Sequence, residues 1–283
     1  MSEREKLVEK MKEIWSRIGK NEILMTHEIT DEELPVGCSK IGGDPDVPQD
    51  FVWPVRADER PLSFLAQVNL DDAAKLDVDR LLPSSGLLSF FYDYEEQPWG
   101  EGPEDFDGWR VYYFENAKSL TRRTMPQEIK DAEAWIWQES VALENRISIP
   151  DPYDAIAPEG NEALEAYADE SECDEDPVDL YEEIAEELGF PCMHEEDETK
   201  LLGYPILIQN PMEERAAMLA ASIFPDVPKE PSEWITLFQM GLWQKVEGGE
   251  RMFGDVGAVT FLICKEDLKN KRFDRVMLEM QCY

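Results

Sequence analysis

The richest group of residues that could do chemistry lies in an acidic loop around Trp99-Gly100. Its carboxylates are Asp93, Glu95, Glu96, Glu101, Glu104, Asp105 and Asp107. A pair of carboxylates beside an aromatic ring is what glycoside hydrolysis requires, because one acts as acid and the other as base or nucleophile. No spacing in this loop fixes two carboxyl groups face to face. The pattern therefore favours a solvated acidic surface, and we assign no catalytic residue.

Nucleophilic, nucleotide and metal chemistry find little support elsewhere. The histidines are His27 and His194, and no Gly-x-Ser-x-Gly motif occurs, so a Ser-His-Asp or Cys-His system has few ways to be built. Gly42-Gly43-Asp44-Pro45 lacks the Lys-Ser/Thr pair of a phosphate loop and indicates a tight turn. Cys192-Met193-His194 could hold a metal weakly with nearby carboxylates, but a solvated loop is favoured. We expect no metal and no cofactor, and an enzyme is the least favoured class.

Gln67 and Gln239 are polar residues inside two apolar strand patterns, at Leu62–Leu70 and Ile235–Leu242. One interpretation is that the two amides face a ligand cleft on a pseudo-twofold axis. The other is that each amide satisfies backbone groups where strand pairing breaks, which is the usual role of a buried amide. On the first interpretation, the further residues lining the cleft are Trp53, Tyr92 and Trp234.

The net charge is strongly negative and unevenly distributed. It is −36 for the whole chain, and residues 151–199 contain twenty Asp or Glu and no Lys or Arg. Such a field repels nucleic acid and anionic membranes and attracts a basic protein. The sequence therefore predicts no nucleic-acid partner, no membrane partner and a basic protein as partner. The predicted partner-binding acids are Asp174, Glu175, Asp176, Glu182, Glu183 and Glu186.

Cysteine usage and hydropathy predict a cytoplasmic protein. The five cysteines are scattered and form no Cys-x-x-Cys pair, which argues against a disulfide framework. No run reaches the ~18–20 apolar residues of a membrane helix. The charged N-terminus at residues 1–6 contains no apolar signal region.

A pattern of elements occurs twice. Each glutamine strand is followed by a glycine and a second apolar strand, with 19 positions from Gln67 to Gly86 and 18 from Gln239 to Gly257. A third strand follows each time, at residues 109–114 and at residues 273–278. The sequence therefore predicts duplication of one β-unit.

Helical patterns flank these strands. Apolar residues from Leu7 to Ile18 recur at helical spacing before Gly19, and Leu180, Ile184 and Leu188 do so before Gly189. The predicted fold class is α+β: two pseudo-repeated antiparallel β-units packed together, with peripheral helices and an acidic helical insertion. The predicted single domain comprises an N-terminal helix and lead-in (1–30), a first β-repeat (31–150), the acidic insertion (151–199) and a second β-repeat (200–283).

Ordered motifs along the chain resemble the YwqG-like family of bacterial proteins of unknown function. They are Ser39-Lys40-Ile41-Gly42-Gly43-Asp44-Pro45, Trp53-Pro54, residues 62–70, residues 82–93, Leu201-Leu202-Gly203-Tyr204-Pro205, Gly254-Asp255-Val256-Gly257 and Gln281-Cys282-Tyr283. The resemblance covers roughly residues 35 to 283. It implies a compact α+β protein of duplicated β-structure and carries over no activity. Some relatives are thought to be immunity proteins in bacterial toxin systems.

Two functions follow as expectations. The first is a bacterial, cytoplasmic interaction protein that neutralises a basic protein partner in an immunity-like way. The alternative is a small-molecule or peptide binding module with its cleft between the two repeats.

Overall fold

The computed structural model describes residues 2–151, 158–171, 176–190, 198–247 and 249–283. Its strands are β1 (Lys20–Ile29), β2 (Lys40–Ile41), β3 (Asp46–Val47), β4 (Ser63–Asn69), β5 (Leu87–Tyr92), β6 (Trp109–Phe114), β7 (Thr121–Arg122), β8 (Glu139–Ser148), β9 (Thr199–Leu202), β10 (Trp234–Gly241), β11 (Trp243–Val246), β12 (Gly249–Met252), β13 (Ala258–Cys264) and β14 (Met277–Gln281). Its α-helices are α1 (Glu3–Ile18), α2 (Leu70–Ala73), α3 (Gln127–Asp131), α4 (Pro158–Ser171), α5 (Pro177–Glu187), α6 (Glu213–Ile223) and α7 (Lys265–Lys269). Short 3-10 turns occupy Pro103–Gly108, Ala117–Ser119, Pro231–Glu233 and Phe273–Arg275.

One antiparallel sheet of ten strands dominates the fold. Its order is β14-β13-β10-β9-β1-β8-β2-β4-β5-β6, and β11–β12 and β3–β7 form two separate two-stranded sheets. The long β1–β8 pair lies in the middle, with register from Lys20↔Ser148 to Ile29↔Glu139. The α+β class with antiparallel strands and several helices is confirmed. The strands of both predicted units join one continuous sheet, and the repeat relation between them stays a prediction.

The large sheet curls until its two ends approach each other. The indole Nε1 of Trp109, at the start of β6, donates to the Val276 carbonyl 2.8 Å away, just before β14. The Met280 amide of β14 also donates to the Trp99 carbonyl at 3.1 Å. These bonds occupy backbone groups that an open edge strand would leave free for unwanted pairing.

Aromatic side chains from both ends of the sheet meet in one core. The rings of Phe90 on β5 and Phe238 on β10 stack with centroids 4.2 Å apart, and Phe261 on β13 lies 5.1 Å from Phe90. All three side chains are fully buried. The two ends of the sheet therefore share a core rather than forming two separate ones.

The predicted third strand near the C-terminus is placed differently by the structure. Residues Phe273–Arg275 form a 3-10 turn, and β14 begins at Met277. The turn forms because the amides of Arg275 and Val276 donate back to the carbonyls of Arg272 and Phe273, which occupies groups that a strand would need.

The helical predictions at residues 7–18 and 177–188 are confirmed, and the two helices pack together. Ser2 and Glu5 cap α1 reciprocally, and Gly19 ends it. The apolar faces of α1, α4 and α5 form a second core, in which Trp15 and Tyr181 meet edge to face at 4.9 Å. Among the described residues, no helix combines the length and the apolar character that crossing a membrane requires.

Candidate functional site

The five residues predicted to line a ligand cleft are all buried. Trp53 donates to the Leu62 carbonyl at 2.9 Å, and Tyr92 donates to the Pro98 carbonyl at 3.0 Å. Trp234 donates to a backbone carbonyl in the same way, at 3.2 Å. Their polar atoms are thus used within the protein, and none of the five lines a described cavity.

Gln67 is held in a buried network. Its Oε1 accepts from the Asp46 amide at 2.9 Å, and its Nε2 donates to the Cys38 carbonyl at 2.8 Å and to Asp46 Oδ2 at 2.7 Å. Asp46 also pairs with Arg122, whose Nε lies 2.9 Å from Oδ1. Burial raises the pKa of Asp46, but the bonds from Arg122, Gly37 and Gln67 outweigh it and lower that pKa overall.

Gln239 makes a similar pair of bonds to backbone. Its Oε1 accepts from the Ile206 amide at 2.8 Å, and its Nε2 donates to the carbonyl of the same residue at 2.8 Å. A β-bulge lies just before each glutamine, between Phe64 and Ala66 in β4 and between Thr236 and Phe238 in β10. The geometry favours the interpretation that both amides satisfy irregular backbone, and a ligand role stays a prediction.

The acidic loop around Trp99 is held by arginines. Arg56 pairs with Asp93 and Asp107, at 2.8 Å each, and Arg60 approaches Asp93 at 3.4 Å. Asp105 accepts from the amides of Gly100 and Glu101 at 3.1 Å. These carboxylates therefore order the loop, and Asp93 is buried, whereas Glu95 and Glu96 are exposed.

Four of the six predicted partner-binding acids lie in α5 or at its N-cap. Asp176 caps the helix by accepting from the Val178 amide at 2.9 Å. Glu183 and Glu186 are exposed and Glu182 is half-buried. Asp174 and Glu175 lie outside the described residues, as does the Cys192-Met193-His194 motif.

A cavity that the sequence analysis did not identify is the better candidate site. It has a volume of about 720 Å³. Its walls are the end of β1, the Gly43-Asp44 turn, the segment from β7 to α3, and the residues that lead into β8. Small-molecule sites typically measure about 300–1,000 Å³ and combine apolar walls with a few polar groups.

Two tryptophans form the aromatic wall of this cavity. Trp135 and Trp137 are half-buried, and their rings meet edge to face at 5.4 Å. Arg251 from β12 lies 5.2 Å from the Trp135 ring and 4.6 Å from the Trp137 ring. Gln244 from β11 bonds both the amide and the carbonyl of Trp137, at 2.9 and 3.0 Å. The β11–β12 hairpin thus fixes the position of the wall.

The glycine turn lies directly against the tryptophan segment, because the Gly43 amide donates to the Ile136 carbonyl at 3.0 Å. Gly42 and Gly43 have φ of +58° and +68°, the left-handed region that favours glycine. A Cβ on Gly42 would lie 2.3 Å from the Trp137 carbonyl oxygen. The tight turn predicted from this motif is therefore confirmed, and only glycine allows it to lie so close to the tryptophan segment.

Charges of both signs surround the cavity. Asp31 and Lys130 are exposed on its rim and have no ion pair among the described residues, while Asp44 and Arg122 lie deeper. Asp44 Oδ1 accepts from the Met125 amide at 2.9 Å, which leaves its second oxygen for another donor. The arrangement suits a ligand that carries both a positive and a negative group beside an apolar body.

Lys40 supports the turn from within the core. It is fully buried, and its Nζ donates to the Asp44 carbonyl. Burial lowers the pKa of Lys40 to about 8, although Asp46 opposes the shift. Within the described residues, no group of three His, Cys, Asp or Glu side chains could hold a metal ion.

Residues 134–138 were not predicted from the sequence to belong to a site. The alternation Trp135-Ile136-Trp137 was the available signal, because it places both indoles on one face of an extended segment. The other lining residues come from 122–130, which are close in sequence, and from 29–44, which are distant in sequence.

The chain belongs to a family defined by a domain of unknown function, DUF1963, whose model matches residues 39–282. This match begins close to the start of the predicted family resemblance and covers most of the chain. The YwqG-like name itself stays a prediction. No curated protein matches the chain.

Proposed function

We propose that this protein binds a small molecule or short peptide in the cavity beside Trp135 and Trp137. The observation that carries this proposal is the combination of a two-indole wall with rim charges of both signs, Asp31 and Lys130. A free α-amino group and a free carboxylate would pair with these charges while an apolar side chain contacts the indoles. The proposed ligand is therefore a zwitterion with an apolar body, of which a short peptide is the simplest example.

Calorimetric titration with the dipeptide Phe-Leu tests this proposal. We expect the form with free termini to bind and the N-acetylated, C-amidated form to bind at least fivefold more weakly. Lys130→Gln and Asp31→Asn should each weaken binding severalfold, because they remove a rim charge and break no described ion pair. Lys118→Gln is the matched control, because Lys118 is exposed and lines neither this cavity nor the other described ones. Equal affinity for both forms, or equal losses in the control, contradicts the proposal.

A second candidate is the predicted interaction with a basic protein, including immunity-like neutralisation. The observation that favours it is that α5 packs Leu180 and Ile184 inward and leaves Glu183 and Glu186 exposed. Arg4 pairs with Glu187 at 2.7 Å and with Glu183 at 3.6 Å, which neutralises part of this surface. Bacterial origin, a cytoplasmic location and the lack of nucleic-acid and membrane partners also stay predictions.

Capture from the native lysate at low and high salt tests the second candidate. A basic partner should be captured stoichiometrically by the wild type, released at high salt, and lost in a Glu182→Gln, Glu183→Gln, Glu186→Gln triple variant. A variant of equal charge change in the Trp99 loop, Glu95→Gln, Glu96→Gln, Glu104→Gln, is the control. Capture that both variants retain equally contradicts a role for α5.

We propose further that the two ends of the large sheet derive from one duplicated unit. In support, Gln67 pairs with Lys40 on β2, and Gln239 pairs with Lys200 on β9. Each lysine donates to the carbonyl four residues further along the chain. Superposing residues 40–115 on 200–283 should align Gln67 with Gln239, and a failure to do so contradicts the duplication.

A further inference from the structure

A second cavity, which shares no lining residue with the first, is basic in an otherwise acidic protein. It has a volume of about 510 Å³ and is lined by residues 80–83, by Ile235 and by residues of and after α7. Its charged lining residues are Arg80, Lys265, Lys269 and Lys271, and no acid lines it. The whole chain has 63 Asp and Glu against 27 Lys and Arg, so this local excess of positive charge runs against the composition.

Part of this positive charge is not neutralised by the protein. Arg80 and Lys269 have no side-chain hydrogen bond or ion pair within the described part of the chain. Lys265 donates to the Ser232 carbonyl at 2.6 Å, and Lys271 lies 3.5 Å from the exposed Glu115. A cation without a partner beside a concave surface is available to an anionic ligand.

The buried acids next to the cavity are directed elsewhere. Asp77 Oδ2 accepts from the Leu82 amide at 2.7 Å. Asp267 lies 2.5 Å from Arg272, which is not a lining residue. Neither carboxylate forms an ion pair with Arg80 or Lys269.

The backbone places two of the basic side chains at a conformational cost. Arg80 and Lys271 have φ of +55° and +57°, in the left-handed region that only glycine adopts freely. Strained positions of this kind concentrate at ligand sites, where the placement of a side chain offsets the unfavourable conformational energy of its backbone. Both strained residues here carry a positive charge into the same cavity.

The floor of the cavity is apolar. Leu82, Ile235 and Leu268 are buried beneath it, and the side chain of Leu81 is 40% exposed at its edge. A ligand that fills this cavity must therefore offer apolar surface as well as negative charge.

We infer that this cavity binds a small organic anion that has a phosphate or carboxylate group and an apolar body. The anionic group would lie between Arg80 and Lys269, and the apolar body would cover Leu82 and Leu268. This inference is independent of the dipeptide site, because the two cavities share no lining residue.

Calorimetric titration with 1-naphthyl phosphate and with uncharged 1-naphthol tests the inference. Wild-type protein should bind the phosphate at least tenfold more tightly than the naphthol. Lys269→Gln should weaken phosphate binding severalfold, whereas Lys118→Gln, which removes an exposed lysine elsewhere, should not. Equal affinity for both compounds, or no binding of the phosphate at millimolar concentration, would overturn the inference.

Arg80→Gly separates binding from folding. Glycine relieves the left-handed backbone, so the melting temperature should stay equal or rise while the affinity for 1-naphthyl phosphate falls at least fivefold. Glu59→Gly is the matched control, because Glu59 has φ of +70° and does not line the cavity. The control should change stability in the same direction and leave affinity unchanged. Unchanged affinity in Arg80→Gly would overturn the inference.

Flotation with lipid vesicles distinguishes a soluble anion from the headgroup of a lipid. Flotation with phosphatidic acid vesicles should not depend on Arg80 or Lys269 if the ligand is soluble. Flotation that depends on both residues, without binding of 1-naphthyl phosphate, would overturn the assignment to a soluble anion.

Discussion

At the scale of single residues, Glu279 on β14 is a buried carboxyl with few partners. Its Oε1 accepts from Gln281 at 2.9 Å, Oε2 has no hydrogen bond, and the Arg215 guanidinium lies 3.6 Å away. Burial raises the pKa of Glu279 to about 7, although Gln281 and Arg215 both act to lower it. In the unfolded chain the same group titrates near an ordinary glutamate value, so protonation and folding are linked.

The sign of this linkage predicts a pH dependence. Between the unfolded and folded pKa values of Glu279 the native state binds more protons, so stability falls as pH rises from about 4.5 to about 7. Glu279→Gln should therefore gain stability relative to wild type over this window, by up to about 3 kcal/mol. Urea unfolding at pH 5 and pH 8 measures the change. An exposed control, Glu128→Gln, should show no such pH-dependent gain, and a parallel response of both variants contradicts the assignment.

Gln67 and Gln239 give a second prediction at this scale. Replacing either by leucine leaves two backbone groups without a side-chain partner, and these groups are buried or partly buried. An unsatisfied buried group costs about 1–3 kcal/mol, so we expect a loss of roughly 2–5 kcal/mol. Gln49→Leu, at an exposed position, should change stability by less than about 0.5 kcal/mol. Denaturant titration measures all three. A small loss in the Gln67 and Gln239 variants would argue that these amides are kept for a ligand rather than for the fold.

At the scale of elements, the sequence predicted best what local spacing determines. The 3.6-residue periodicity and flanking caps located α1 and α5, and apolar runs located β4, β5, β10 and β13. Weaker local signals failed: β9 has only four residues, and β11 and β12 mix Trp, Gln, Lys and Arg without a clear face. Those short strands are stabilised by tertiary pairing, which spacing along the chain does not reveal.

The candidate site was missed for the same reason. Trp135 and Trp137 become one wall because Gln244 and Arg251, more than one hundred residues later, hold their backbone and rings. The predicted cleft residues lie in the core instead, because a strand that is apolar on both faces buries its polar side chains as well. Contacts between residues so far apart in sequence depend on the order of the strands in the sheet, which local sequence patterns do not reveal.

The helical layer of α1, α4 and α5 gives a prediction for these elements. Ile184 is fully buried in its core, so Ile184→Ala should cost about 2–4 kcal/mol locally. Hydrogen exchange by mass spectrometry should show faster exchange in α1, α4 and α5 and unchanged exchange in β4, β5, β10 and β13. Glu186→Ala, on the exposed face of α5, is the control. Acceleration that spreads through the large sheet contradicts a separate helical core.

At the scale of the whole molecule, the shared aromatic core couples the two ends of the sheet. A double-mutant cycle of Phe90→Leu and Phe238→Leu should give a coupling energy of about 0.5–1.5 kcal/mol, because the stacked rings lose a specific contact. Phe90→Leu combined with Ile184→Val, in separate cores, should be additive within about 0.5 kcal/mol. Additivity of the phenylalanine pair would contradict a core that unites both ends.

The whole molecule also combines a strongly acidic exterior with two cavities of different chemistry. One has mixed charge beside two indoles, and the other is basic above an apolar floor. These two cavities are the basis of the proposal that the protein binds small ligands.

The central claim is that a ligand contacts Trp135 and Trp137, and the most direct measurement is the ¹⁵N–¹H spectrum of the eight indoles during titration with the dipeptide Phe-Leu. We expect saturable shifts of the Trp135 and Trp137 indole signals, with the exposed Trp99, which does not line the cavity, unchanged as the internal control. Shifts confined to other indoles, or no shift at millimolar dipeptide, would contradict it.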